Sequence, residues 1–341
     1  MSTLRFGVLG AGRIGALHAR HLYGAVDGAS LACVYDADEA AARRAASGGV
    51  AIAADAGELL GRDDLDAVVI ASPTPVHAEQ VVAAAEAGLA VFCEKPVALD
   101  LATTRDALAA VRRQQAPFQI GLNRRFDPGF GALARAVREG ELGKPEMFRS
   151  LSSDPAPPPP AYVAASGGLY LDSAIHDLDL ARFVMGEVTR VHATGRVLVA
   201  DHFAEHGDVD TSVVTLEFDS GALGVIQNTR RTVYGYDLRI EVHGEAGKLV
   251  AEDARATKTW HFDANGIHGD HVHYFLDRFR DAYRLELQAF VDDVRAGRAP
   301  SPGPEDAEAS LRLALAARDA QREGRPVEVA RHDPESTGGT Q

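Results

Sequence analysis

The segment Gly10-Ala11-Gly12-Arg13-Ile14-Gly15 constrains this chain more than any other. It directly follows the apolar run Leu4 to Leu9, which reads as a strand, and it opens the helical stretch Arg13 to Tyr23. A strand, a glycine turn and a helix in that order form the first crossover of a dinucleotide-binding sheet. The glycines permit the tight turn and let backbone N–H groups approach a pyrophosphate at the positive end of the helix. The second predicted strand, Ser30 to Tyr35, ends at Asp36, about twenty residues past the glycines, where a carboxylate accepts from the adenosine ribose 2′-hydroxyl. It also repels a 2′-phosphate, and Ala37 follows rather than arginine. This favours NAD over NADP. The alternative is a strand-end turn whose glycines only turn.

The alternation continues. Strands are predicted at Ala67 to Ala71, Ala90 to Cys93 and Phe118 to Leu122, with helices at Ala37 to Ala46, Val76 to Ala87 and Ala102 to Gln114. Strands apolar on both faces and separated by helices specify a parallel sheet covered on both sides. The pattern changes after a helix at Phe130 to Arg138. A strand over Glu146 to Ser152 runs into the proline loop at 154–160, and a helix covers Leu169 to Met185. Extended runs follow at Val191 to Ala200, Thr211 to Phe218, Ala222 to Arg231, Leu238 to His243 and Lys248 to Glu252, which read as an antiparallel meander. Helices return at Tyr274 to Ala296 and Glu305 to Glu323. The fold class is α/β: a doubly wound parallel Rossmann sheet over residues 1–124, then an α+β domain with a mostly antiparallel sheet over 125–330. The polar residues 331–341 are expected to be a disordered tail.

Charge and composition exclude several roles. The net charge of −14 argues against a nucleic-acid partner, which needs a basic surface. No run of 18 apolar residues exists to span a membrane. The only two cysteines, Cys33 and Cys93, lie in apolar runs and fit a reducing compartment. The chain enters its first strand without a leader, so the expected location is the cytoplasm. Lysine occurs only four times, at Lys95, Lys144, Lys248 and Lys258. Against an arginine-rich background, each lysine merits inspection.

Three further segments carry chemistry. Ser72-Pro73-Thr74-Pro75 stands at the carboxyl end of an apolar strand, where doubly wound sheets bind ligands. Its hydroxyls and carbonyls are candidates to line the ribose or nicotinamide, and His77 is either part of that lining or a satisfied histidine at a helix start. Glu94-Lys95-Pro96 ends the next strand, where a lysine can stabilise a developing alkoxide and share a proton, and Glu94 can tether its head. A surface ion pair is the other reading. In Gly167-Gly168-Leu169-Tyr170-Leu171-Asp172-Ser173-Ala174-Ile175-His176-Asp177-Leu178-Asp179, Asp172 and His176 are i,i+4 neighbours on a helix. A carboxylate beside an imidazole orients it and raises its basicity, which suits removal of a hydroxyl proton. Such a pair is also common on helix surfaces. The candidate cofactor set is Gly10, Gly12, Arg13, Ile14, Gly15, Asp36, Ser72, Pro73, Thr74, His77, Glu94 and Lys95.

Together the glycine fingerprint, Glu94-Lys95-Pro96 and the Asp172-to-His176 segment resemble the Gfo/Idh/MocA oxidoreductases over essentially the whole chain. More narrowly, residues 121–127, 154–158, 175–179, 234–237 and 274–279 resemble the inositol 2-dehydrogenase branch. The resemblance implies an open-faced C-terminal sheet, a homotetramer packed through those sheets, and a catalytic group of Lys95, Asp172 and His176. It implies substrate contacts from Lys95, Arg125, Asp154, Asp172, His176 and Tyr236. The implied activity is oxidation of a cyclic polyol by hydride transfer to NAD, with a cyclic polyol between the domains and myo-inositol as the foremost candidate. Another inositol isomer, an aldose, or an NAD-binding regulator without turnover are the other readings. The sequence departs from the family at Ala174, often glycine, and at Ser153, often basic, which leaves the stereoisomer preference open. His268, His271 and His273 cluster in a Gly/Asp-rich loop but lack a completing ligand set, so no metal is expected.

Overall fold

The computed structural model describes residues 3–46, 48–252, 255–257 and 259–329. The predicted tail and Lys258 lie outside these residues. The chain divides into two compact units, Met1–Pro128 with Phe279–Leu311, and Gly129–Arg278 with Arg312–Gln341. The expected boundary was 124/125, whereas the chain passes between the units at 128/129, 278/279 and 311/312.

The first unit holds a six-stranded parallel sheet of β1 (Leu4–Leu9), β2 (Ala29–Tyr35), β3 (Ala51–Ile52), β4 (Ala67–Ile70), β5 (Ala90–Glu94) and β6 (Phe118–Gly121), in the order 3-2-1-4-5-6. The helices between them are α1 (Arg13–Gly24), α2 (Glu39–Ala45), α3 (Ala56–Leu60), α4 (His77–Glu86, after a 3₁₀ turn at Thr74–Val76) and α5 (Leu101–Gln114). Strand β3 and helix α3 escape the sequence reading because both are too short to show a period. Alternate residues of each central strand enter opposite cores. Val68, Ile70, Val91 and Cys93 pack with Val81, Leu108 and Val111, while Val69, Phe92, Phe6 and Val8 pack with Leu22, Leu287 and Phe290. That division is why these strands read as unbroken apolar runs. The order reverses between β1 and β4, so the carboxyl ends of these two strands frame the ligand crevice expected of such a sheet.

In the second unit α6 (Pro128–Arg138) leads into β7 (Pro145–Ser153), α7 (Pro160–Ser166), a π-helical turn at Tyr170–Ala174 and α8 (Ile175–Met185). Then follow β8 (Val188–Arg196), α9 (His202–Glu205), β9 (Thr211–Phe218), β10 (Leu223–Thr229), β11 (Asp237–Gly244), β12 (Gly247–Ala251), β13 (Trp260–Asp263), β14 (Gly266–Gly269) and α10 (Phe275–Arg278). The large sheet has the order β12-β11-β7-β10-β9-β8-β15, where β15 is Val327–Glu328. It is not the simple meander expected. β7 inserts between β10 and β11 and runs parallel to β10. Nothing local to β7 encodes this choice of neighbours. The proline loop carries α7, since Pro160 sits in the first turn, where its missing N–H is no loss. The helix expected over 274–296 is broken at Phe279, which caps α11 (Arg280–Arg295). That break coincides with a crossing between units. The last helix, α12 (Pro304–Glu323), contains another crossing.

Candidate active site

The three fingerprint glycines perform different tasks in the first unit. Gly10 has φ +90°, and a Cβ there would stand 2.4 Å from the backbone nitrogen of Ser72. A Cβ at Gly15 would lie 1.9 Å from the carbonyl oxygen of Gly10, so this glycine lets α1 close on β1. At Gly12 a Cβ would meet nothing within 4 Å. The protein's own packing does not require glycine at that position, so the requirement comes from whatever approaches it. Helix α1 opens on Gly12 without a side-chain cap, and its first-turn N–H groups suit an anion.

Asp36 is fixed beside this turn. Its Oδ2 accepts from the N–H of Ala11 at 2.5 Å and its Oδ1 from the N–H of Asp38 at 2.7 Å. An open cleft of about 410 Å³ is lined by Ala11, Gly12, Arg13, Asp36, Asp38 and Arg44, among others. The turn, the anchored carboxylate and the cleft fit the adenosine half of a dinucleotide. Asp38 and Arg44 escape the sequence reading because nothing in their spacing marks them.

At the carboxyl ends of β4 and β5 the site is held by buried polar groups. Ser72 Oγ donates to Gln80 Oε1 at 2.6 Å. His77 is 2% exposed, with Nε2 2.6 Å from the carbonyl oxygen of Ser72 and Nδ1 2.9 Å from that of Pro96. The imidazole thus ties the 72–75 loop to the Glu94-Lys95-Pro96 turn, and what its ring nitrogens touch is backbone. Burial lowers its pKa, against the raising effect of those two carbonyls. Pro73, Thr74 and Lys95 share this end of the sheet, with Thr74 and Lys95 half-buried and Pro73 exposed. Glu94 turns toward α1 and pairs with His18 Nε2 at 2.7 Å. Arg125 lies just beyond β6, its guanidinium 3.0 Å from Asp306.

The second unit holds the remaining candidate residues. Gly167 and Gly168 have φ of +82° and +88°, and Asp208 accepts from the N–H of Leu169. Asp172 then falls in the π-helical turn and His176 in the first turn of α8. A regular α-helix was expected here, and the structure has a π-helical turn at Tyr170–Ala174 before α8. Asp172 Oδ1 accepts from Tyr162 Oη and Oδ2 from Arg230 Nη2, both at 2.8 Å. Arg230 also reaches Asp154 Oδ2 at 2.8 Å through Nη1. It is 6% exposed, and the two aspartates push its pKa up against the cost of burial. The arginine therefore joins two residues that sequence reasoning named separately. It went unnoticed because it is one of many arginines and its partners are far away in sequence. Tyr236 is buried, and its carbonyl oxygen contacts His271 Nε2 at 2.5 Å. Asp177 is structural, accepting from Ser150 at 2.6 Å and Asn228 at 2.9 Å beneath α8. His268 faces Asp263 at 3.3 Å on the β13–β14 hairpin, where a loop was expected.

A 3-2-1-4-5-6 parallel sheet with an anchored acid after β2, together with an α+β unit carrying a buried ion network, defines a two-domain dinucleotide-dependent oxidoreductase. Residues 4–122 match an oxidoreductase family with an NAD-binding Rossmann fold, and residues 130–250 match the GFO/IDH/MocA C-terminal domain. The chain belongs to the Gfo/Idh/MocA oxidoreductase family. It is 44% identical to a myo-inositol 2-dehydrogenase of Thermotoga maritima over 96% of this chain and 98% of the relative. It is 40% identical to an inositol 2-dehydrogenase of Rhizobium meliloti over 96% of this chain and 100% of the relative. The crystal structure of scyllo-inositol dehydrogenase from Lactobacillus casei with bound NAD(H) and scyllo-inositol matches with TM-score 0.89 at 28% identity, covering 96% of this chain and 99% of that one.

Proposed function

We propose that this chain oxidises an inositol, foremost myo-inositol to the 2-keto inosose, with NAD as acceptor. The observation that carries the substrate half is the Asp154–Arg230–Asp172 bridge. Two carboxylates fixed by one buried guanidinium form a rigid acceptor array suited to a ring of hydroxyls. Similarity to inositol dehydrogenases over nearly the full length supports the same reading.

When bound, NAD supplies the two-electron acceptor for a hydride leaving a C–H bond. Gly10, Gly12, Arg13, Ile14 and Gly15 would hold the pyrophosphate, Asp36 the adenosine ribose, and the segment Ser72 to Thr74, tied by His77 to the Glu94-Lys95 turn, the nicotinamide end. His176 takes the hydroxyl proton, and Lys95 stabilises the oxygen that is left with negative charge. Asp172, held by Arg230 and Tyr162, offers its carboxylate to the reacting group. Asp154, Arg125 and Tyr236 orient the remaining hydroxyls.

NADH formation across myo-, scyllo- and chiro-inositol and a set of aldoses tests this function. Turnover of myo-inositol above the others is expected, and an aldose preference overturns it. The scyllo-inositol complex of the L. casei protein favours that isomer as the second candidate. His176→Ala should lower kcat by about 10²–10⁴-fold with NAD affinity retained. Equal turnover would remove His176 from the chemistry.

We also propose a homotetramer joined through the large sheets. Met147, Leu223 and Val213 lie on the sheet face opposite Phe148, Ile226 and Val214 and are exposed. They share that face with charged residues such as Arg149 and Glu241, a mixed surface that a partner sheet could cover, and light scattering in solution tests it. No helix among the described residues is long and apolar enough to cross a membrane. Cys33 and Cys93 are free and buried, which supports a reducing cytoplasm as the location.

A further inference from the structure

Next to Lys95 in sequence, Glu94 joins a largely buried group of three titratable side chains inside the first unit, two of which the proposed chemistry leaves unused. His18 on α1, Glu94 on β5 and Glu286 on α11 each offer one atom within 4.8 Å of the others. His18 and Glu286 are both 0% exposed. His18 Nε2 already pairs with Glu94 Oε1 at 2.7 Å. Neither carboxyl oxygen of Glu286 has a hydrogen-bond partner among the described residues. The surroundings offer little else that is charged. Tyr283 and Phe92 set their rings edge-on to His18, and Phe290 packs edge-on against Phe92. From β6, Gln119 donates to the backbone carbonyl of Glu286 at 3.1 Å and not to its carboxyl group. His21, one turn along α1, is the other titratable group of that helix buried in this unit.

A carboxylate as dry as Glu286 cannot stay ionised this close to Glu94, because it lacks the solvation that would screen the two charges. A metal ion is the other way to neutralise them. The His18–Glu94 contact argues against it, since two ligands of one ion with bonds of about 2 Å are separated by roughly 3 Å or more, wider than this pair. We propose that Glu94 and Glu286 share one proton, that His18 fixes the Glu94 end of the pair, and that Glu286 is thereby a positioning residue that holds the charge behind Lys95 at one. Desolvation and the Glu94 charge both push the Glu286 carboxyl well above the ordinary carboxylate range, in keeping with this arrangement. With the proton present, Glu286 donates to Glu94 and the strand end is tied from two sides. Without it, a second buried charge faces Glu94 and the Lys95 ammonium gains an added counter-charge, which disfavours its sharing a proton with the substrate oxygen.

The link to turnover rests on the role of Lys95 proposed above, whereas the shared proton does not. Infrared difference spectra of the full chain and of Glu286→Gln at neutral pH read the proton directly. One protonated-carboxyl C=O band present in the parent and lost in the variant is expected, and the same band persisting in the variant, or absent from the parent, overturns the proposal. The subtraction removes any signal from Asp208, which burial also raises. For the positioning role, kcat is followed against pH. Glu286→Gln keeps the donor without a titrating proton and should displace the alkaline limb by about one pH unit or more. Glu286→Leu should lower kcat about tenfold or more, with Gln recovering most of that loss. Superimposable profiles for parent and Gln variant overturn the link to Lys95. Full turnover in Lys95→Ala would instead sink the catalytic reading, leaving the infrared result to decide the proton.

Discussion

Arg230 closes on Asp172 with Nη2 and Oδ2 2.8 Å apart, and its other terminal nitrogen holds Asp154 at the same distance. Both side chains of the first pair are largely withdrawn from solvent, at 7% and 11% exposure. Removing the guanidinium leaves two partly buried carboxylates facing each other. Arg230→Met should therefore destabilise the fold by about 3–5 kcal/mol in urea unfolding. Arg230→Lys should restore part of the stability and less of the turnover, because an ammonium cannot span two carboxylates in the fixed geometry of a planar fork. Wild-type stability in the Met variant would show the bridge to be energetically neutral.

The two ends of the glycine fingerprint should respond differently to one added methyl group. Gly15→Ala places a Cβ 1.9 Å from a backbone oxygen and must push α1 off β1, with an expected cost of about 1–3 kcal/mol. Gly12→Ala meets no protein atom within 4 Å, so its melting temperature should stay near the parent's. Its NAD affinity should fall by about tenfold or more, equivalent to about 1.4 kcal/mol. Calorimetry and fluorescence titration of both variants check this, and unaltered NAD binding in Gly12→Ala would remove that residue from the cofactor site.

Asp36→Ala should weaken NAD and narrow the preference over NADP, since the carboxylate both accepts from a 2′-hydroxyl and repels a 2′-phosphate. Because Asp36 also takes the N–H of Ala11, Asp36→Asn separates the two effects. The amide oxygen can keep that contact while the repulsion is lost. The ratio of kcat/KM for the two cofactors is the measurement, and an unchanged ratio in both variants would count against the ribose role.

Acid should destabilise the first unit through His21. This histidine is 6% exposed, its Nδ1 has no hydrogen-bond partner among the described residues, and burial followed by the His18 charge brings its pKa from 6.5 down to about 4. The unfolded chain binds the proton near pH 6.5 and the folded chain does not until about pH 4, so stability is lost as pH falls through that window. The loss should approach about 3 kcal/mol by its lower end. His21→Phe, which cannot take the proton, should flatten this part of the stability–pH curve. An identical slope in the variant would assign the acid sensitivity elsewhere.

Much of the first unit was legible in the sequence. The limits of β1 were read without error, and β2, β4, β5 and β6 were each read to within one residue. A strand buried on both faces and set between a turn and a helix leaves little local ambiguity. The second unit was less legible. Its strands β9, β10 and β11 announced themselves by alternation, but the insertion of β7 beside β10 did not. Strand pairing is chosen between segments some 75 residues apart, and no single segment encodes its neighbour.

The same division runs through the candidate site. Glycine at 10 and 15 answers local demands of turn geometry and helix packing, legible in the sequence alone, and the cofactor roles proposed for Gly12 and Asp36 rest on the same local spacing. The sequence also named Asp154, Asp172 and Lys95 by motif. Only the tertiary structure decided that Asp172 belongs to Arg230 and Tyr162, that His77 braces two strand ends through their carbonyls, and that Glu94 faces Glu286 across a dry core. Each of these depends on which distant side chains are desolvated together. A charge acquires its partner, and a carboxyl its proton, from the medium that the completed fold builds around it.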